Sequence, residues 1–375
     1  MKIGFDAKRI FNNQTGLGNY SRGVVQALAT QFPENQYHLY CSSIKKFPEY
    51  LLDQTNVFRQ APTSTFHQKF PSIWRSGGMV KDLQNQGIEI YHGLSNELPH
   101  GIENTGIKSL VTIHDLIFLH YPNLYPFFDR RVYKRKFEAA VKHANIVIAT
   151  SEHTRKDILK AYHCSPNKVK VLYQDCDAAF STMLSQDQLL AVKRKYSLNR
   201  EFVLSVGTLE QRKNHLNLLH AFVQSDLHDT DLVLVGKKGD AYPALEKFVK
   251  DNSLVDRVKF IHELPFADLP ALFQAARAFA YISKYEGFGI PVLEALRSNI
   301  PVLTSNTSSL PEVGGAAALY ANPDSIKEIA FGLNQIVYSQ DVRKELLNAI
   351  PAQLQKFESA ALSKQLMDIY SSLMV

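Results

Sequence analysis

Glu286-Gly-Phe-Gly-Ile-Pro-Val-Leu-Glu294 holds two carboxylates with seven residues between them, among them two glycines and a proline. Gly287, Gly289 and Pro291 disfavour a continuous helix from Glu286, which assigns Glu286 to a loop. Pro291 suits the first turn of a helix, where a missing N–H costs nothing, so Glu294 falls about one turn in. The apolar run at 279–282 reads as a buried strand. The segment is therefore a strand, a glycine loop and a helix N-terminus, with one acid on each side of the turn. Loop amides and the helix dipole suit an anion, while each carboxylate can accept a pair of hydroxyl hydrogen bonds. A ligand that is hydroxyl-rich at both ends and anionic in the middle is a nucleotide sugar. Taken alone, the segment fits a glycine turn with a solvated acid equally well.

Outward from this segment, strand-like apolar runs alternate with helical patterns along the whole chain. The first half predicts strands at 3–5, 37–40, 88–91, 110–113, 146–149 and 169–172, with helices around 18–29, 73–86, 128–142 and 152–161. Ser151 is placed to cap the last of these. The second half predicts strands at 202–206, 232–235, 258–261, 278–282 and 302–304, with helices near 216–224, 242–250, 269–275, 292–296 and 325–337. Such alternation implies an α/β fold of mostly parallel sheets with helices on both faces. We expect an N-terminal Rossmann-like domain over 1–177, a linker region at 178–199, a second Rossmann-like domain over 200–356 and a final helix at 357–375. Two doubly wound domains would face each other across a cleft at the carboxyl ends of their strands. Each chemistry-bearing motif of the chain follows a predicted strand.

The bulk properties fit this picture. A chain of 375 residues with 45% hydrophobic and 21% charged content can bury two ordinary cores. Cys41, Cys164 and Cys176 form no C-x-x-C pair, which argues for a reducing compartment and against a disulfide framework or zinc site. Met1-Lys-Ile-Gly-Phe-Asp6 enters a strand pattern without a signal-peptide core, and no apolar run nears the ~20 residues of a spanning helix. A cytoplasmic location is expected. The net charge of +6 is partly local to Asp129-Arg-Arg-Val-Tyr-Lys-Arg-Lys-Phe137, whose cations would spread over a helix beside Phe127, Phe128 and Tyr133. A solvated helix is one reading; peripheral contact with an anionic membrane or a lipid-phosphate-linked acceptor is the other. No nucleic-acid recognition motif accompanies the patch.

Three further stretches carry chemistry. Thr15-Gly-Leu-Gly-Asn-Tyr20 follows the first strand and resembles part of a dinucleotide fingerprint. Ser21 replaces its third glycine, however, and no acid ends the second strand, so a nicotinamide enzyme is disfavoured. Gly16 and Gly18 instead suggest a loop whose amides face a phosphate. In Val206-Gly-Thr-Leu-Glu-Gln-Arg-Lys-Asn214, Arg212 and Lys213 sit where a loop enters a helix, a position from which two cations could neutralise a departing diphosphate; a surface basic pair is the other reading. Val111-Thr-Ile-His-Asp115 ends a strand with His114, and Tyr91-His92-Gly93 repeats the arrangement. G-x-S-x-G, H-E-x-x-H and Walker A elements do not occur.

Together these residues resemble the family-4 retaining glycosyltransferases of the GT-B fold, with mannosyltransferases of bacterial polysaccharide assembly the nearest in flavour. The most specific element is E-x7-E with Gly-Phe-Gly inside it. The resemblance implies that Glu286 contacts the donor hexose, the amides of Gly287, Phe288 and Gly289 the sugar and diphosphate, and Glu294 the ribose. Arg212 and Lys213 would bind the diphosphate, and His114 would lie beside the transferred sugar. It further implies retention of configuration, no metal and no cofactor beyond the nucleotide-sugar co-substrate, and a glycan or lipid-linked saccharide as acceptor. GDP-mannose is the preferred donor, with UDP-glucose, UDP-galactose and UDP-N-acetylhexosamine as alternatives; an epimerase and a non-catalytic nucleotide-sugar-binding protein are the competing classes. The chain departs from the family pattern at Thr208, where many members carry Arg, at Gln174-Asp-Cys-Asp177 before the linker, and at Gly314-Gly315.

Overall fold

The computed structural model describes residues 1–13, 16–43, 51 and 54–374. Thr15 of the glycine-loop motif and Val375 of the expected final helix lie outside them. The chain divides into two compact units, one of Met1–Asp175 with Phe357–Val375 and the other of Cys176–Lys356.

The first unit carries a seven-stranded sheet built from β1 (Lys2–Asp6), β2 (Gln36–Tyr40), β3 (Val57–Gln60), β4 (Ile90–Gly93), β5 (Lys108–Ile113), β6 (Ile146–Ala149) and β7 (Val169–Val171), ordered β3-β2-β1-β4-β5-β6-β7. The second carries β8 (Glu201–Val206), β9 (Thr230–Val235), β10 (Val258–Ile261), β11 (Ala278–Tyr281), β12 (Val302–Ser305) and β13 (Ala318–Ala321), ordered β10-β9-β8-β11-β12-β13. Every pairing is parallel. In each sheet the winding direction reverses once, between β1 and β4 and between β8 and β11. Loops leaving the carboxyl ends of strands at such a switch point diverge, and the crevice between them is where α/β sheets bind ligands.

The strand interiors are apolar because helices cover both faces. All four residues of β11 are buried, as are all six of β9. The edge strands β3 and β13 have no counterpart in the sequence reading. β3 is the half-exposed Val-Phe-Arg-Gln, and β13 is the short Ala-Leu-Tyr-Ala, so neither offers the β-branched run that marks a central strand. The helix expected over 73–86 is broken: a π-type turn at Trp74–Gly78 precedes a regular helix at Met79–Asn85, at the Gly77-Gly78 pair.

The stretch 178–199, read as a linker for want of strand signals, is folded. Asp177 caps a short turn at Ala178–Ser181, and Ser185 with Gln188 forms a capping box on the helix Gln186–Lys195. Phe180 is buried edge-on against Phe273, so this segment clusters with the second unit, and the chain changes unit at Asp175–Cys176. The final helix, Ser359–Met374, buries Leu366, Met367 and Tyr370 in the core of the first unit. There the Tyr370 hydroxyl is hydrogen-bonded to His92 Nδ1 at 2.7 Å, and His92 Nε2 to Thr112 Oγ1 at 2.8 Å. His92 is thus a core residue tying a helix to the sheet, and burial takes its pKa down to about 3.

Candidate active site

In the second unit the candidate side chains converge beyond the ends of β8 and β11. After β8 the chain passes Gly207 and forms a tight turn at Gln211–Lys213, ended by Asn214 in the left-handed region, before the helix His215–Gln224. This turn presents Arg212 and Lys213. After β11 the loop 282–289 carries Glu286 and closes on Gly289 at φ 121°. A Cβ at Gly289 would also come within 2.8 Å of the Leu310 side chain, so the backbone angle and the close packing both require glycine. Pro291 then opens the helix Ile290–Arg297, as the sequence indicated, and Glu294 lies on it.

Glu286 is the hub. Its Oε1 lies 2.7 Å from Arg212 Nη1 and accepts from Lys213 Nζ at 2.7 Å, from Tyr281 Oη at 2.9 Å and from Ser283 Oγ at 2.6 Å. Among the described residues no donor reaches Oε2. Burial alone would raise the carboxyl pKa, but Lys213 and Arg212 outweigh it and hold the group down to about 2. Glu286 is therefore an anion with one oxygen anchored and one available. The loop itself is pinned from behind: Ser308 Oγ accepts from the Glu286 amide at 3.0 Å, while Ser309 Oγ donates to the carbonyls of Glu286 at 2.9 Å and Phe288 at 2.6 Å. The Phe288 ring is buried, so what this residue can offer a ligand is backbone.

Arg212 is as enclosed as Glu286. Nη2 donates to Glu210 at 2.6 Å and Nη1 to the Tyr285 carbonyl. Lys213 Nζ also donates to Tyr281 Oη at 2.5 Å, and burial lowers the pKa of its ammonium group.

Glu294 contrasts with Glu286. It is 7% exposed, and among the described residues no hydrogen-bond donor meets its carboxylate. Burial, reinforced by the charge of Asp177, raises its pKa to about 8. A carboxyl whose folded pKa lies above its ordinary 4.5 binds a proton in the native state that the unfolded chain releases. Its ionisation therefore lowers stability progressively as pH rises from about 4.5 to 8, by up to several kcal/mol if the buried anion is not relieved. Glu294→Gln is expected to melt close to the parent at pH 5 and several degrees above it at pH 8. Parallel melting curves of the two proteins across that range would remove the buried-acid assignment.

In the first unit His114 ends the β5 segment with its ring buried. Nε2 donates to the Leu94 carbonyl at 2.8 Å, which fixes the tautomer and leaves Nδ1 to accept from Gln174 Nε2 at 3.4 Å. The Tyr20 ring stands edge-on at 4.8 Å, and burial lowers the His114 pKa to about 4. The ring is neutral at physiological pH and suits orienting a ligand better than shuttling a proton. Gly16 and Gly18 open the helix Gly16–Gln31. The Gly18 amide donates to Asn13 Oδ1 at 3.2 Å, and a Cβ there would strike the Asn13 carbonyl oxygen at 1.9 Å. Gly18 thus has a packing reason of its own, and Gly16 is the exposed member of the pair. Sequence reasoning missed Tyr281, Ser283, Ser308 and Gln174 as partners of these residues. Among the described residues no group of three His, Cys, Asp or Glu side chains could hold a metal ion, and no helix is long and apolar enough to cross a membrane.

The family model described as Glycosyltransferase Family 4 matches residues 15–178, and that of Glycosyl transferases group 1 matches 186–352. A solved glycosyltransferase from Rickettsia africae superposes with a TM-score of 0.77 at 15% identity, covering 100% of this chain and 98% of that one. The chain is a GT-B-fold glycosyltransferase. The transferase is similar over its full length to O-antigen chain mannosyltransferase B of Escherichia coli, 27% identical over 386 residues with 100% of each chain covered. It is also 30% identical over 244 residues to the O-antigen chain mannosyltransferase RfbU of Salmonella typhimurium, covering 64% of each chain. Anabaena HepE, solved in complex with UDP and glucose, shares the transferase's fold at a TM-score of 0.75 and 20% identity, covering 99% and 100% of the two chains.

Proposed function

We propose that this transferase moves a hexose from a nucleoside-diphosphate sugar to a saccharide acceptor with retention of anomeric configuration, and that Glu286 is the residue on which the donor sugar is registered. The observation that carries this reading is the asymmetry of the Glu286 carboxylate, with Oε1 held by surrounding donors and Oε2 left to accept sugar hydroxyls. Arg212 and Lys213, on the same cluster, supply positive charge for the diphosphate as it departs. Glu294, buried and met by no donor among the described residues, is suited to a pair of ribose hydroxyls, while the amides of 287–289 and of Gly16 are read as backbone donors to the donor substrate, the Gly18 amide being held by Asn13. His114, neutral and oriented, is read as a group that orients the sugar rather than one that moves a proton. Departure of the diphosphate and attack of the acceptor occur on one face of the sugar, and Glu286 binds without forming a covalent bond.

Two readings of the donor are supported by different observations. The names of the Escherichia coli and Salmonella relatives favour mannose, for which GDP-mannose is the donor. The solved HepE complexes with UDP, glucose and UDP-glucose favour a UDP-hexose. Melting the protein with equal concentrations of GDP and UDP separates them, because a ligand at about 100 times its Kd adds roughly 2.7 kcal/mol of stability. A shift with GDP alone supports the mannose donor, a shift with UDP alone the UDP-hexose, and no shift with either defeats the nucleotide-sugar reading.

For the acceptor, we propose that the helix Phe127–His143 lies against an anionic membrane that carries it. Phe127 and Phe128 are 53% and 76% exposed, the Arg131 guanidinium lies 4.6 Å from the centre of the Phe127 ring, and Arg130, Lys134 and Arg135 are on the same helix. Each cation near such a surface contributes about 1 kcal/mol. The protein should sediment with vesicles containing phosphatidylglycerol, and less so as salt rises. Equal sedimentation with pure phosphatidylcholine, or none with either, overturns this.

A further inference from the structure

The structure assigns a third role at the donor site: Tyr281 is a positioning residue that couples the lysine facing the leaving group to the carboxylate facing the sugar. The inference rests on the proposed roles of Lys213 and Glu286 and adds a residue that neither the E-x7-E element nor the Arg-Lys pair contains.

Tyr281 is the last residue of β11, 2% exposed, with its ring stacked on Phe279 at 5.9 Å. Its hydroxyl accepts from Lys213 Nζ at 2.5 Å and donates to Glu286 Oε1 at 2.9 Å, and Lys213 Nζ donates to the same Oε1 at 2.7 Å. The three groups close a triangle. A phenol has one proton to give and lone pairs to receive, so this single neutral group satisfies both a cation and an anion.

Donor counting shows what the triangle accomplishes. A carboxylate oxygen has two lone pairs, whereas Oε1 is surrounded by Arg212, Lys213, Tyr281 and Ser283. Two of those neighbours are cations that an incoming diphosphate would attract. The two that remain are neutral, and Tyr281 and Ser283 together match the two lone pairs. Glu286 therefore keeps its orientation, with Oε2 toward the ligand, while the charges around it are redistributed. On the other side of the triangle, an ammonium group has three N–H bonds. Two are directed at Tyr281 and Glu286, which leaves the third for a phosphate oxygen. Without the phenol oxygen Lys213 keeps only its bond to Glu286 and loses the second contact that fixes its direction, and without the phenol proton Ser283 is the one neutral donor left on Glu286 Oε1. The prediction is a loss in the chemical step more than in nucleotide affinity, because Arg212 still anchors the diphosphate.

Tyr281→Phe keeps the ring and its stacking and removes only the hydroxyl. We expect kcat for donor turnover to fall at least tenfold, with the Kd of UDP or GDP, whichever shifts the parent, changed less than threefold and the melting temperature within a few degrees. An unchanged kcat overturns the role. A tenfold or greater loss of nucleoside diphosphate affinity, or a collapse in melting temperature, also overturns it, since either would make Tyr281 a binding or a merely structural residue. Arg212→Ala, measured alongside, separates the two levels. If Arg212→Ala weakens the nucleoside diphosphate while Tyr281→Phe is silent, only the role of Tyr281 fails. If Arg212→Ala is silent too, the reading of the whole site fails.

Discussion

Replacing Glu286 by Gln should lower kcat by about 10²-fold or more, with the fold intact. Loss of a polar partner of the transition state in a water-poor site costs a factor of that order, and glutamine keeps the side-chain volume while removing the charge and half the acceptor capacity. Replacing Glu286 by Ala is expected to be as damaging for a second reason. Arg212 and Lys213 have side chains only 8% and 12% exposed, and both depend on Glu286. Arg212 would keep Glu210, but Lys213 would be left as a buried cation without its anion, which costs about 3–5 kcal/mol and in a unit of this size lowers Tm by roughly 10 °C. Gln removes the same charge but keeps an amide oxygen that Lys213, Tyr281 and Ser283 can reach, so it should lose activity with a smaller fall in Tm than Ala. A Gln variant that folds and turns over within threefold of the parent would remove Glu286 from the site.

The second large effect is expected at Arg212. Its guanidinium shares Glu286 Oε1 with Lys213 and is steadied by Glu210. Hydrogen bonds to charged groups are worth about 1.5–3 kcal/mol each, so Arg212→Ala should weaken nucleoside diphosphate binding by roughly 10- to 100-fold. The variant should remain folded, because Lys213 and Glu286 still form a neutral pair. Calorimetric titration with UDP and GDP measures this directly, and an affinity within a factor of two of the parent would take Arg212 out of the leaving-group site.

The central strands and the two acids were legible in the sequence for a shared reason. A strand buried on both faces must be a continuous apolar run, and a glycine loop closing on a proline-started helix has few alternatives. Pro291 and Gly289 announce where Glu294 must lie. The partners of those acids were not legible. Tyr281 reads as one more residue of a buried strand, and only the path of loop 282–289 brings Glu286 back over its hydroxyl. Ser308 and Ser309 come from beyond the next strand, too distant in sequence for any local pattern to link them to Glu286. The folded state of 178–199 escaped for a compositional reason. Its polar residues looked like solvated linker, while Ser185 and Gln188 are there to cap a helix and Phe180 to anchor it.

The return of helix Ser359–Met374 to the first unit bears on how the protein is made. The second unit, Cys176–Lys356, is inserted between two pieces of the first. During synthesis the β1–β7 sheet emerges early, yet the helix that supplies Leu366, Met367 and Tyr370 to its core is the last described element to leave the ribosome. Until then His92 lacks its phenol partner, and an apolar face of the nascent sheet stays open. The second unit, contiguous in sequence, can complete its own core first. Early-synthesised chain would thus be finished late, and a nonsense mutation only a few codons into the final helix would release a protein whose second unit is whole and whose first is left without this core helix.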